Sequence, residues 1–422
     1  MKERINPAIK AHLIRSAFYL LLLLALCVIP FALGQRQTLA RFFKDNPTLV
    51  CNDGWQTGPD MPSTGVRMVG IFFSPKRAVY DEKFYAMGGR SMDGVGNDFA
   101  HPFEYDPASN AWSIKSAIYP DNQVSDMACG VLYDSGTPYI YCVGGSAGGQ
   151  TTATDRVFRY DPITDTIESI ASPWPGDSDG ITLPGGFAVF NNKLYILGGF
   201  RINTAVTDTI WEFTPGTNTW IQKIATLPVP RGYIPTAVDL NGSFIYTAGG
   251  SDWNGTTLVD TNDSFRYDPV ADSITAIPNI PRATAETRAL MGDFGESCEG
   301  IVMWVLGGGE TPPNPSNEVD IDCNGWVTGV PFLTARRNFP TDTDNQGSFV
   351  TSRIWLAGGY ASDGTPLSSM EIFCHSVPTP SEPPEITPMQ TPTPTPTPTV
   401  TPRATPRARP TPQPRPTPPP RP

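Results

Sequence analysis

Few residues in this chain are equipped for chemistry. Of its three histidines, His12 lies near the N-terminus and His375 borders a proline-rich end, leaving His101 in the body. A metal centre built on several imidazoles, or a Ser/His/Asp triad, therefore has one poor candidate. His101 reads more simply as a loop hydrogen-bonding residue. Glu310, directly after Gly307-Gly308-Gly309, is the weak candidate for a general acid or base. Asp177-Ser178-Asp179-Gly180 has the start of a calcium loop without the later ligands or the bidentate Glu that would complete it. The cations able to fork onto a carboxylate are Arg67, Arg231, Arg282 and Arg336, with Asp126 and Asp179 in comparable stretches and Tyr233 and Trp253 as stacking surfaces. Two readings of this set compete. Each arginine pins a neighbouring acidic loop, or a partial arginine crescent binds a carboxylated sugar or an acidic loop of a partner. No metal and no cofactor is expected.

The elements that position these residues must be sizeable. Aromatics make up 10% of the 422 residues and charged residues only 17%, a composition that supports a large core and excludes wholesale disorder. The net charge of −11 argues against a nucleic-acid partner. The ends differ from the body. Lys2, Arg4, Lys10 and Arg15 precede an apolar run at 17–33, and Ala32-Leu33-Gly34 offers small residues where a signal peptidase reads. Residues 1–34 are thus expected to be a signal peptide cleaved before Gln35, with an uncleaved anchor as the alternative. A short linker, 35–48, follows. Residues 376–422 contain nineteen prolines and repeat Thr-Pro, so they are expected to form an extended, disordered stalk. Either reading of the N-terminus places the rest of the chain outside the cytoplasm, secreted or associated with the cell envelope.

Glycine doublets punctuate the body at Gly88-Gly89, Gly144-Gly145, Gly198-Gly199, Gly249-Gly250, Gly307-Gly308 and Gly358-Gly359, 51 to 58 residues apart. Each ends an apolar, β-rich run. Further on come Tyr105, Tyr160, Phe213, Tyr267, Ile321 and Phe373. Asp-Pro follows three of these, and Trp112, Ile167, Trp220 or Ile274 stands seven residues beyond four of them. In the fifth unit Trp326 follows after a shorter turn. Bulky residues at such positions fill the wedge between neighbouring sheets, and a single sheet of this kind cannot bury both faces alone. None of the doublets continues as a phosphate-binding loop.

This pattern over residues 49–375 resembles the Kelch repeat. The resemblance implies an all-β fold, a six-bladed Kelch-type β-propeller with four antiparallel strands per blade. Ile167 and Ile274 depart from the motif's tryptophan. The sixth unit runs out before its tryptophan, while Cys51-Asn52-Asp53-Gly54-Trp55 echoes Cys323-Asn324-Gly325-Trp326. The N-terminal strand is therefore expected to complete the last blade and close the ring. Six cysteines remain beyond Cys27, and structural disulfides are expected for Cys51–Cys374 across the seam, Cys129–Cys142 across a hairpin, and Cys298–Cys323 by elimination.

Loops 90–101, 146–156, 200–208, 251–264, 310–317 and 360–369 are then expected on one face together with the arginines. Among Kelch-type enzymes, a galactose-oxidase-like copper site needs two histidines that this body lacks. A carbohydrate-active enzyme similar to a sialic-acid mutarotase, acting in the central funnel, is the alternative. The favoured expectation is a non-enzymatic, monomeric recognition domain binding an extracellular protein or glycan, touching membrane only if the N-terminal segment is uncleaved.

Overall fold

In the computed structural model of the protein, the described residues are 53–74, 82–239, 242–295, 300–311, 314–344 and 351–376. The expected signal peptide, linker, stalk and Cys51 and Cys298 lie outside them. The described residues form six four-stranded antiparallel sheets with no long helix. Five sheets take their strands in chain order. The sixth takes three consecutive strands and adds Gly54–Thr57 on its outer edge, where that strand pairs with Met370–Ser376. Trp55 lies directly opposite Phe373, ring centroids 5.2 Å apart. The ring is closed by the first described strand beside the last, as the sequence led one to expect.

Strand character changes from the centre outward. The innermost strand of the first blade, Val69–Phe73, is an unbroken apolar run buried at every position, as a strand covered on both faces must be. The outermost strand of the third blade, Thr219–Thr226, instead alternates exposed and partly buried residues along most of its length, the pattern of a strand wet on one side. Between successive blades lie six apolar clusters. One packs Phe84 and Tyr105 of the first blade against Trp355 of the sixth, and the next packs Tyr85 against Tyr160 of the second blade.

The sequence landmarks are cross-strand neighbours. Tyr105 opposes Trp112, Tyr160 opposes Ile167, Phe213 opposes Trp220 and Tyr267 opposes Ile274. In the fifth blade the shorter turn slips the register by one residue, so that Ile321 opposes Val327 and Trp326 opposes Asp322. Each blade is also tied to the one before it. The indole N–H groups of Trp112, Trp220, Trp326 and Trp55 donate to the carbonyls of Pro59, Ser172, Pro278 and Val330, at 2.9 to 3.1 Å. Where isoleucine replaces tryptophan, an aspartate in the preceding turn takes over. Asp165 accepts from the Ser116 and Ala117 N–H groups, and Asp272 from those of Ile224 and Ala225.

The glycine doublets seal the ring on the inside. The second glycine's N–H donates to the segment leading into the following blade: Gly89 to Val124, Gly199 to Arg231, Gly250 to Thr284, Gly308 to Arg336 and Gly359 to Gly65, at 2.8 to 3.0 Å. At Gly88, with φ +63°, an added Cβ would sit 2.1 Å from the Val124 carbonyl oxygen, so no other residue fits without moving the neighbouring blade. One expectation needs correction. In the third and fourth blades the doublet does not end the strand: Lys193–Arg201 and Ile245–Trp253 run through it with a register shift, and pairing resumes at Gly199↔Thr207 and Gly250↔Thr261. The doublet there is a bulge that bends the strand, and the continued pairing raises a hairpin above the face.

Cys129 and Cys142 pair directly across a hairpin whose turn is Ser135-Gly136, and they form a disulfide. Cys323 and Cys374 are disulfide-bonded; the expected partners Cys298 and Cys51 fall outside the described residues.

Candidate functional site

Each innermost strand starts at the loop face, and the strand that follows returns to it. The mouth of the central channel and the loops beyond the doublets therefore share one face. Five blades place one residue at the same level just before the innermost strand: Arg67, Asp126, Tyr233, Glu286 and Asn338. All five have a left-handed backbone, φ from +46° to +59°, which is costly for side chains other than Asn and Asp. A chain of main-chain hydrogen bonds holds them. Asp126 donates to the Arg67 carbonyl, Arg67 to Asn338, Asn338 to Glu286 and Glu286 to Tyr233, at 2.7 to 3.2 Å. The third blade supplies Pro184 and Gly185 at this level.

Their side chains meet in one polar cluster. Arg67 pairs with Asp126 at 3.2 Å and approaches Asp93 at 3.6 Å. Arg337 pairs with the buried carboxylate of Glu286 and approaches Glu310 at 3.8 Å. Both guanidinium groups lie over the ring of Tyr360, at 5.7 and 4.8 Å, a cation–π arrangement that holds two like charges side by side. Arg90 donates to Ser125 and faces Asp93 and Asp98. The Asn338 side-chain amide nitrogen is buried without a partner among the described residues.

Electrostatics follow from this packing. Burial disfavours the Arg67 charge, but Asp126, Tyr233, Tyr360 and Glu286 together outweigh it and hold the guanidinium well above its usual range. Burial pushes the Asp126 carboxyl up against the opposing pull of Arg67 and Arg90. Glu310 is also raised, by burial and by the Glu286 charge, while Arg337 and Arg67 pull the other way. With a side chain 42% exposed, it is the most accessible acid that contacts Arg337. The mouth thus offers two partly exposed arginines, each holding a buried carboxylate, an aromatic platform, the Asn338 amide donor and two accessible acids, Asp93 and Glu310. It can hydrogen-bond hydroxyl and amide groups and accept a carboxylate on Arg67 or Arg337.

The structure brings Arg67, Asp126, Tyr233 and Glu310 together here. The other expected residues lie elsewhere. Arg231 points to Asp263 and Asp252 on the fourth blade's hairpin. Trp253 packs on Phe200, which also touches Tyr233. Asp179 pairs with Arg201 and accepts from Thr182, and Asp177 accepts from the Ile181 and Thr182 N–H groups; both close their own turn. Arg282 binds Asp320 and the Gly307 carbonyl. Arg336, fully buried, binds Glu371 at 2.6 Å and the Gly358 and Ser369 carbonyls. His101 contacts the Ala117 carbonyl through its ring nitrogen.

Sequence reasoning did not single out Glu286, Arg337, Asn338, Tyr360 or Arg90. The signal that finds the first and third is position. Arg67-Met68, Asp126-Met127, Tyr233-Ile234, Glu286-Thr287 and Asn338-Phe339 align at the start of the innermost strands, whereas matching arginine to arginine puts Arg67 in register with the wrong neighbours.

Comparison with known proteins agrees with the fold. A sequence profile of the Kelch motif matches residues 136–172 and 183–223. The chain is similar to Kelch repeat and BTB domain-containing protein 1 of cowpox virus, strain GRI-90 / Grishak: 27% identical over 209 residues, 49% of this chain and 34% of that protein. It is also similar to Kelch-like protein 24 of Rattus norvegicus, 31% identical over 129 residues, 31% of this chain and 18% of that protein. The chain spans about a third or less of the length of these curated relatives. Among solved structures it resembles one described as the structure of YjhT, with a TM-score of 0.56 and 14% identity, covering 74% of this chain and 95% of that one. That likeness concerns the fold alone.

Proposed function

We propose that this six-bladed Kelch-type propeller is an extracellular, non-enzymatic recognition domain that binds a protein or glycan through its loop face, at the charged mouth around Arg67 and Arg337. The observation that carries the reading is the inner ring. Five blades hold five residues in the same left-handed backbone conformation, unfavourable for Arg67, Tyr233 and Glu286, and all five side chains carry charge or hydrogen-bonding groups. Strain kept at equivalent places on a rigid scaffold, with varied chemistry pointing to one spot, is the signature of a binding site rather than of packing. A location outside the cytoplasm is supported by the basic start and apolar run of residues 1–34, and by the Cys129–Cys142 disulfide, a bond rare in reducing compartments.

The test uses the full chain on a glycan array and in capture from envelope fractions. Arg67→Glu and Arg337→Glu each weaken binding about tenfold or more, the scale expected for losing a charge-assisted pair, while binding unchanged in both variants overturns the reading. Glu310 favours a second reading, a carbohydrate-active enzyme of the sialic-acid mutarotase kind, because an accessible acid with a raised pKa beside an arginine suits proton transfer to a sugar ring. Accelerated anomer exchange by NMR, abolished in Glu310→Gln without loss of fold, supports that reading over the first.

A further inference from the structure

Below the charged mouth, the same six inner strands enclose a second and larger space. It is a cavity of about 450 Å³, within the size range of small-molecule sites. Val131, Phe187, Val189, Val238 and Met291 are among its lining residues, and Arg288 is the cation at its head. Arg288 borders the upper mouth as well, together with Phe187 and Thr236. These three form the neck between the two spaces.

Arg288 is placed unlike every arginine described above. It donates one hydrogen bond, to the Gly70 carbonyl at 3.0 Å, and its guanidinium lies 4.6 Å over the Phe187 ring. Among the described residues no carboxylate comes within 4.0 Å of it. Asp342 is the acid that acts on it, but the Asp342 carboxylate is occupied by the Phe72 and Thr343 N–H groups, at 2.7 and 2.9 Å. Burial therefore outweighs Asp342 and pushes the guanidinium below its usual range. A half-buried guanidinium that uses one donor on the protein, facing a chamber whose wall mixes apolar side chains with Asn191, Asn192 and Asp239, has donors left to fork onto an anion.

We propose that this lower chamber is a binding site for a small amphiphile that carries one carboxylate, with the carboxylate on Arg288 and the apolar body along Val131, Val189, Val238 and Met291. A single arginine with Asp342 nearby matches a monoanion in planar, forked pairing, and disfavours multiply charged groups such as phosphate esters. The site adjoins the loop-face mouth at the neck but uses neither Arg67 nor Arg337, so the two can be told apart by substitution.

The experiment is calorimetric titration of the full chain with decanoate, decyl phosphate and decan-1-ol as probes. Decanoate binds saturably and more tightly than either of the others. Arg288→Met weakens it about tenfold or more, as expected for loss of a charge-assisted pair, and Arg67→Glu leaves it unchanged. Arg288→Met alters a half-buried side chain directly before the inner strand Ala289–Gly292 and can fail to fold. Val189→Trp, which keeps Arg288 and fills the chamber, is the second arm and abolishes binding while the far-UV circular dichroism stays native. Equal affinity for decanoate and decan-1-ol, no saturable decanoate binding, or undiminished binding in Val189→Trp each overturns the proposal.

Discussion

The rim and the centre of this propeller repeat in opposite ways. At the rim, residue type recurs: an aromatic or apolar residue faces a tryptophan or isoleucine in blade after blade, because the wedge between sheets has to be filled by bulk. At the centre, conformation recurs while type does not. Arg67, Asp126, Tyr233, Glu286 and Asn338 share one left-handed backbone geometry and have almost nothing chemical in common. Repetition of type marks what the architecture requires. Repetition of geometry with free choice of side chain marks where the architecture leaves room for a task. Arg336 and Arg67 make the contrast within one residue type. The first is fully buried inside its blade against Glu371, and the second is partly open at the mouth.

That contrast breaks most sharply at Arg336. Replacing it by Met strands Glu371, which also receives the Leu333 and Thr334 N–H groups, and removal of one partner from a buried pair costs about 3–5 kcal/mol. Urea unfolding of Arg336→Met should show a loss of that size. A loss under about 1 kcal/mol, the scale of exposed pairs, would mean that Arg336 is as dispensable as a surface arginine and that the division between rim and centre is misplaced.

The two kinds of inter-blade tie come next. Asp165 accepts from the Ser116 N–H at 2.8 Å, the Ser116 hydroxyl at 2.6 Å, the Ala117 N–H and the Tyr160 hydroxyl. Asp165→Ala should cost about 2 kcal/mol, as hydrogen bonds to a charged group do. Trp220→Phe keeps an aromatic ring but loses the neutral bond to Ser172 and part of the packing on Phe213, together worth about 1–2 kcal/mol. The ties also differ in acid. Burial raises the Asp165 carboxyl, but the Ser116 and Ala117 donors outweigh it and hold it below the usual range; Asp272 is lowered in the same way. A carboxyl whose folded pKa is depressed contributes stability above its unfolded value and loses it as pH falls through the folded one. Wild type and Asp165→Ala should therefore differ fully above about pH 4 and converge below it. The gap between wild type and Trp220→Phe should not change with pH. Denaturant midpoints measured across that window check both.

How much of this was legible in the sequence follows the same division. The glycine doublets, the aromatic positions and the closure by Gly54–Thr57 could be read because backbone approach and wedge filling admit few residue types. Ile167 and Ile274 read as departures from the motif. The structure shows that the indole's donated bond has been exchanged for a carboxylate's accepted ones from Asp165 and Asp272, two residues before each isoleucine, and a pattern keyed to tryptophan has no place for that exchange. The slipped pairing of Trp326 against Asp322 was signalled by the shorter turn, though its consequence was not. The mouth was only partly visible. Arg67, Asp126, Tyr233 and Glu310 stood out by type, while Glu286 and Asn338 are ordinary residues whose importance comes from a backbone angle, and Arg337 and Tyr360 from the company they keep. The buried roles of Arg282 and Arg336 were hidden because their partners, Asp320 and Glu371, sit 38 and 35 residues away.

The smallest expected effect is the most informative about the centre. At Arg67, glycine removes the left-handed strain, a gain of roughly 1 kcal/mol, and removes the pair with Asp126, whose carboxylate still feels Arg90. The two changes oppose each other, so the net stability of Arg67→Gly should lie within about 1 kcal/mol of wild type. Loop-face binding should nevertheless be lost, because the partly exposed guanidinium is gone. A protein that keeps its unfolding midpoint and loses its ligand shows that the strain at this position is maintained for recognition. If Arg67→Gly instead unfolds as readily as Arg336→Met, the inner ring is architecture like the rim, and the varied side chains there have been tuned for packing against one another.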